Sequence, residues 1–466
     1  MAKHFAVAGG GWAGFAAAVE LVRAGHRVTV FEAARTLGGR ARRVSFDGRG
    51  LDNGQHIMLG AYSESLRMMR AVGVDLKSAV LTLPLQMRYP PGGGGMDFVA
   101  PRLPAPLHVG VALLRARGLE RVDKMALARF TTTARWMDWR LNHDCSVAEL
   151  LERFDQTPRL VALMWRPLCL AALNTPPERA SANVFLAVLR DSLGARRAAS
   201  DMLVPRADLS ALFPDAAAAW LQDKGNTVHV GAKVTTLHPA ADGWTVSAGG
   251  AALSGDWTGK FDGVVLATPP TATAGLLDAL QEAGATNAAD NGAEDRTGAP
   301  ASFAELATQL AAFEPEPITT CYLQYATGTR LDIPFYALLD DPAGHRWGQF
   351  VFDRGQLDAK QDGLFAVVIS ASSDAARLPQ DELTTAIAKQ LAADLARPEL
   401  ATPAWSKAIT EKRATYACTP GLRRPANETP AKGLVLAGDY TAGEYPATLE
   451  MAVRSGVQAA RVLARA

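Results

Sequence analysis

The sequence is poor in cysteine: it has four in 466 residues, and no two of them form a C-x-x-C pair. Neither a disulfide framework nor a zinc site is expected, and Cys145, Cys169, Cys321 and Cys418 read as reduced, buried thiols. No metal site is expected elsewhere in the chain. An excess of charge of one sign is also missing. With 48 Lys and Arg against 47 Asp and Glu the formal charge is +1, so no global field draws in nucleic acid or another polyanion. Also absent are runs of about 20 uninterrupted apolar residues, the length a spanning helix needs. The apolar start from Phe5 to Val22 is broken by glycines and reads as part of a fold rather than a secretory leader. The expected location is cytoplasmic, with peripheral contact at the inner face of the membrane left open. No internal repeat is found.

What is present is the composition of a core-forming chain: 48% apolar and 20% charged residues, close to soluble globular averages. Its length exceeds what one core usually serves, so two domains are expected. The N-terminal pattern is the most informative. His4 to Ala8 is a strand-like apolar run, Gly9-Gly10-Gly11-Trp12-Ala13-Gly14 follows, Phe15 to Ala24 is an Ala-rich helical stretch, and Gly25 suits its C-cap. Arg27 to Glu32 then alternates β-branched residues as a second buried strand ending on an acid.

Each part suits a dinucleotide. Gly9 permits a tight turn, Gly11 lets the backbone approach a pyrophosphate, and Gly14 lets the helix pack on the strand. Ala13, beside Gly14, joins the cofactor-contacting set. The helix N-terminus offers free N–H groups to phosphate. Glu32 would accept hydrogen bonds from the adenosine ribose and repel a 2′-phosphate.

Beyond Glu32 comes Leu37-Gly38-Gly39-Arg40-Ala41, and here the chain resembles the amine oxidase and phytoene desaturase superfamily of flavoproteins. The resemblance implies FAD as cofactor, with Gly39 and Arg40 reaching its pyrophosphate; the planar guanidinium suits that contact. It also implies an α/β fold: a discontinuous Rossmann-like FAD-binding domain (residues 1–80, 200–275 and 405–466) with an α+β substrate domain (80–200 and 275–405). Near the C-terminus, the strand Gly433 to Ala437, the Gly438-Asp439 turn and a helix from about Thr448 to Ala464 match the segment that sits against the flavin. By that likeness Gly438 and Asp439 bind the ribityl or phosphate end, and N–H groups near Thr448 and Leu449 face the ring, where a helix N-terminus stabilises negative charge. Gly54, Gln55 and His56 are likewise implied beside the flavin ring, and the Val234 backbone at the adenine. No His or Cys lies between Gly438 and Ala452, so non-covalent binding is expected.

Several longer stretches narrow the resemblance: Leu51 to His56, Trp165 to Thr175, Arg190 to Leu193, Pro317 to Thr320 and Gly438 to Gly443. Together they resemble the hydroxysqualene dehydroxylase family, the squalene-associated FAD-dependent desaturases of bacterial hopanoid synthesis. That likeness implies reductive loss of an allylic hydroxyl from an isoprenoid lipid substrate. Hydroxide leaves poorly, so an acid is required. Candidates are His56, as an imidazolium, and Asp191, Tyr440 and Glu444; Asp52 reads as an anchor of the turn. Two other readings stand beside this one: a carotenoid-type desaturase or amine oxidase, and a prenyl-binding escort without redox chemistry.

In the remaining sequence, Thr319 to Gln324, Val351 to Phe352 and Leu364 to Ser370 read as strands of a sheet over the flavin, and Ala283 to Ala301 as a mobile surface insertion. Pro101 to Asn142 mixes arginines with Leu, Val, Phe and Trp in helical spacing. Its Arg115 to Arg121 and Arg135 to Arg140 ends could rest on an anionic bilayer, or form a solvated helical face.

Overall fold

The computed structural model describes residues 2–250, 253, 255–282 and 302–465. The expected insertion from Ala283 to Ala301 lies outside the described residues.

The apolar N-terminal run forms β1 (His4–Ala8), followed by α1 (Trp12–Arg23) and β2 (Arg27–Glu32). Far along the chain come β3 (Thr227–Val230), β4 (Gly263–Leu266) and β5 (Leu434–Leu436). All five are parallel in the order β3-β2-β1-β4-β5. Phe5, Ala6, Val7 and Ala8 are buried on both faces of β1, the unbroken apolar pattern that a parallel sheet covered by helices demands. The register Val7↔Val265↔Val435 aligns three remote segments at one sheet edge. Gly14 is fixed by close approach: a Cβ there would lie 1.9 Å from the Gly9 carbonyl oxygen, so the helix seats on the strand only without a side chain.

A second sheet is antiparallel, ordered Phe335–Ala337, Phe350–Asp353, Leu364–Ser370, Pro315–Gln324, Trp405–Tyr416. Its period-2 alternation serves two cores. Val351 faces Leu383, Ile387 and Leu391 of the helix Gln380–Asp394, while Phe350 and Phe352 face a cavity. Three of these strands coincide with the expected ones. The strand Trp405–Tyr416, at the start of the last expected cofactor-binding stretch, pairs along Pro315–Gln324 and lends Glu411, Ala414 and Thr415 to the cavity wall; the chain joins the parallel sheet at β5. The helical region on the other side includes α2 (Leu107–Arg115), α3 (Arg121–Trp136) and α4 (Ala182–Ser192), of which α4 lines the cavity. The C-terminal helix α5 (Leu449–Arg465) packs against α1. No helix among the described residues is long and apolar enough to cross a membrane.

Candidate functional site

A cavity of about 920 Å³ runs from the carboxyl ends of β1 and β2 to the antiparallel sheet. At the first end its walls are backbone. The β1–α1 turn is tied by the Gly9 N–H, which donates to the Phe31 carbonyl at 2.7 Å. The N-cap Gly11 has no side-chain cap, and the first turn of α1 holds no acid. That helix end therefore keeps unpartnered N–H groups and a partial positive charge, which suits an anion. A Cβ at Gly11 meets no protein atom closer than 3.7 Å; any demand for glycine there comes from what the cavity holds. Beside it the Leu37–Ala41 turn requires positive φ at Gly38 (116°) and Gly39 (64°), and the Gly38 N–H donates to the Gly10 carbonyl at 2.9 Å. Two glycine turns thus face one another across the space.

Glu32 sits where expected, at the tip of β2 and on the cavity wall. Its carboxylate accepts from the Gly10 N–H at 2.6 Å and the Ala34 N–H at 2.7 Å, which fixes its position while leaving lone pairs for a diol. Arg40 and Asp439 form an ion pair at 2.6 Å, and Arg40 also donates to the Ala414 carbonyl at 2.7 Å. The sequence reading assigned both residues to the cofactor without joining them. Ala13, Gly39, Val234, Gly438, Thr448 and Leu449 all line the same cavity, as do Gly54, Gln55 and His56. All of the expected set but Gly14 therefore lines one space; Gly14 lies behind it, against the Gly9 carbonyl. Glycine backbone, an uncapped helix end, a guanidinium and a ribose-directed carboxylate are the donor and acceptor set a dinucleotide such as FAD needs.

The proton-transfer candidates divide. The Nδ1 of His56 lies 2.9 Å from the Gly54 carbonyl, which can only accept, so Nδ1 carries hydrogen. Burial lowers the His56 pKa, the Gly54 contact opposes this and Arg40 adds to it. The neutral ring is favoured and its Nε2 is an acceptor, which corrects the expectation of an imidazolium donor. Burial raises Asp191, but hydrogen bonds from Arg190 and Tyr445 more than offset this, and its pKa ends below the usual carboxylate range. Asp191 is an ionised acceptor, not an acid. Glu444 is outside the cavity wall; it is an exposed carboxylate paired with Arg190 at 2.9 Å. Tyr445 is buried and lines the cavity, whereas Glu444 before it is exposed. Tyr440 is buried on the wall near Thr273, 3.3 Å away, and burial raises its pKa. Asp52 is an anchor as expected: it accepts from the Leu209 N–H at 2.8 Å, its carbonyl accepts from Tyr322, and burial pushes it up to about 6.

Sequence reasoning passed over Tyr445. Its hydroxyl donates to Asp191, Arg454 lies 4.6 Å above its ring, and burial together with the Asp191 charge raises its pKa. The far wall was also missed: Met87, Phe98, Met164, Leu168, Phe350 and Phe352 make it apolar. These residues come from segments with no shared local pattern. Among the described residues no cluster of three or more His, Cys, Asp or Glu could hold a metal.

Residues 12–464 match the model of the flavin containing amine oxidoreductases. The hydroxysqualene dehydroxylase of Rhodopseudomonas palustris is 29% identical over 99% of this chain and 98% of its own. The chloroplastic/chromoplastic zeta-carotene desaturase of Arabidopsis thaliana is 23% identical over 97% of this chain and 84% of its own. Among solved structures, an oxidoreductase from Methanosarcina mazei shares the fold with a TM-score of 0.68 and 17% identity, covering 98% of this chain and 99% of that one.

Proposed function

The chain belongs to the family of flavin containing amine oxidoreductases and is an FAD-dependent oxidoreductase, and from that premise we propose that it reductively removes the allylic hydroxyl of hydroxysqualene to give squalene, in hopanoid synthesis. Full-length similarity to a hydroxysqualene dehydroxylase supports this reading. The observation that carries it is the cavity's division: a glycine-lined end continuous with an apolar end, with the Tyr445–Asp191 pair where α4 meets the segment leading into α5.

In this reading Glu32 and Val234 hold the adenosine end of FAD, Gly9, Gly11, Ala13, Gly39 and Arg40 the pyrophosphate, with Gly14 seating the helix that presents its N–H groups, and Gly438 with Asp439 the ribityl end. Gly54, Gln55, His56, Thr448 and Leu449 stand at the ring. Bound in its reduced form, FAD supplies a hydride.

The residues of the chain do the rest. Met87, Phe98, Met164 and Phe352 take up the hydrocarbon and exclude water. Because Tyr445 donates to Asp191, its oxygen is left to accept the hydrogen of the substrate hydroxyl, which orients the C–O bond. The phenols of Tyr440 and Tyr445 keep their protons at neutral pH, since burial raises both. With the Tyr445 proton committed to Asp191, Tyr440 is the proton-bearing group of this wall from which the departing oxygen is protonated and leaves as water. Hydride to carbon and proton to oxygen balance the replacement of C–OH by C–H.

The test is anaerobic: reduced enzyme is mixed with hydroxysqualene, and flavin reoxidation is followed with squalene formation. One squalene per flavin reoxidised is expected. Reoxidation without squalene overturns the assignment. A second reading, oxidation of a longer polyene, is favoured by the likeness to zeta-carotene desaturase; it predicts that oxidised enzyme is bleached by a carotene and unaffected by hydroxysqualene.

A further inference from the structure

Large apolar side chains are seldom left in water in a cluster. Here seven of the eight exposed ones among the described residues fall between Val99 and Trp136, and Trp136 is 90%, Leu114 75% and Met125 72% exposed. Their spacing is helical. On α2, Leu107, Gly110 and Leu114 share an outward face, while His108 and Ala112 point inward. On α3, Val122, Met125, Arg129 and Trp136 lie within one narrow sector, opposite the buried Leu127, Phe130 and Ala134. Each helix thus has two apolar sides, of which the fold uses one. The Lys124 Nζ donates to the Leu114 carbonyl at 2.9 Å and ties the two helices together.

The charge around this face has one sign. Residues 102–140 hold eight basic and three acidic side chains in a chain whose totals are 48 and 47, and one of those acids, Asp123, is buried. Arg115, Arg117, Arg121 and Arg135 are exposed and have no ion-pair partner among the described residues. An apolar stripe edged by unpaired arginines is the pattern that lies in the headgroup plane of an anionic bilayer, with Trp at the boundary and Arg stems reaching back to phosphate. A second copy of this chain would bring the same arginines against one another, and so fits less well.

One strand links the face to the cavity wall. Phe98 lines it while its neighbour Val99 is on the outside, and Asp97 and Arg117 exchange backbone hydrogen bonds at 3.1 and 3.2 Å. The strand that walls the apolar end is therefore hydrogen-bonded to the α2–α3 connection. We propose that the outward face of α2 and α3 docks the protein on an anionic lipid bilayer, with the apolar end of the cavity turned toward it. This inference does not depend on which lipid reacts.

The holoenzyme is spun with vesicles of neutral phosphatidylcholine alone, or with about a third phosphatidylglycerol. Wild type is expected in the pellet with the anionic vesicles and in the supernatant with the neutral ones. The triple variant L114S/M125S/W136S, checked for unchanged flavin absorbance and circular dichroism, is expected to lose binding at least tenfold; R121E/R135E is expected to lose the preference for anionic lipid. Wild type remaining soluble with anionic vesicles overturns the proposal, as does undiminished binding of the triple variant. A lipid-free dimer that the triple variant dissolves, with vesicle binding unchanged, assigns the face to a second copy and overturns it too.

Discussion

The two ends of the cavity are built on different principles. The glycine end is made of backbone: Gly9 to Gly14 and Leu37 to Ala41 present N–H groups and close approaches that only particular dihedrals allow. The apolar end is made of side chains donated by strands and helices far apart in sequence. Precision at the first end comes from few residues that tolerate no change. Shape at the second comes from many residues, none individually decisive. The difference predicts how each end fails.

The largest effect separates two glycines within the first end. A Cβ at Gly14 would strike the Gly9 carbonyl oxygen at 1.9 Å, so Gly14→Val is expected to cost more than about 4 kcal/mol and to leave little soluble protein. Gly11→Val has room against protein atoms and is expected to give folded protein that lacks the yellow flavin spectrum, as is Glu32→Ala. Soluble yield, circular dichroism and absorbance separate the two outcomes; full FAD occupancy in Gly11→Val contradicts the assigned pyrophosphate site. Next in size, Arg40→Met leaves Asp439 buried without its partner. A loss of about 2–3 kcal/mol is expected on denaturant unfolding of the apoprotein, at the lower end for a broken buried pair because Arg40 is one-third exposed. An unchanged midpoint would reduce that ion pair to a surface contact.

The same division governs what the sequence made legible. A backbone cradle is written in consecutive residues, so the first glycine turn and Glu32 were readable from spacing, and the second turn and the start of α5 from short stretches that carry a family resemblance. Side-chain partnerships across the fold were not. Arg40 meets Asp439 from the opposite end of the chain, and Tyr445 meets Asp191 across 254 positions, distances over which no local pattern carries information. No local pattern in Trp405–Tyr416 names the sheet it joins; its hydrogen bonds to Pro315–Gln324 do. His56 and Glu444 drew attention by residue type and by the stretch that contains them. A carbonyl 2.9 Å from Nδ1, and a side chain turned outward, decided the chemistry open to each.

Asp52, outside both ends, ties the Leu209 N–H and the Tyr322 hydroxyl together and gives a pH signature. Its folded pKa of about 6 lies above its ordinary 3.8 because it is buried. Below about pH 4 the carboxyl is protonated both folded and unfolded, and no difference arises. As pH climbs toward 6 the unfolded chain gives up the proton while the folded one retains it, so stability falls, by roughly 3 kcal/mol at most, and levels off above 6. Asp52→Asn keeps an oxygen for the Leu209 N–H and is expected to flatten that fall, which makes it the more stable form at pH 7. Melting temperatures of both proteins from pH 4 to 8 check this; parallel curves would mean that Asp52 titrates as a solvated acid.

The smallest expected effects set inward against outward. Tyr445→Phe removes the hydroxyl next to Asp191 and leaves the ring under Arg454; flavin content should persist while turnover falls about a hundredfold, the loss expected when the group that orients the C–O bond is removed. Its neighbour Glu444 is exposed and pairs with Arg190, which keeps its bond to Asp191, so Glu444→Gln should change turnover less than twofold and stability by less than about 0.5 kcal/mol. Equal losses in both variants would mean that the Arg190 network, rather than the inward hydroxyl, sets the rate, and the reacting wall would then extend past the cavity to the surface.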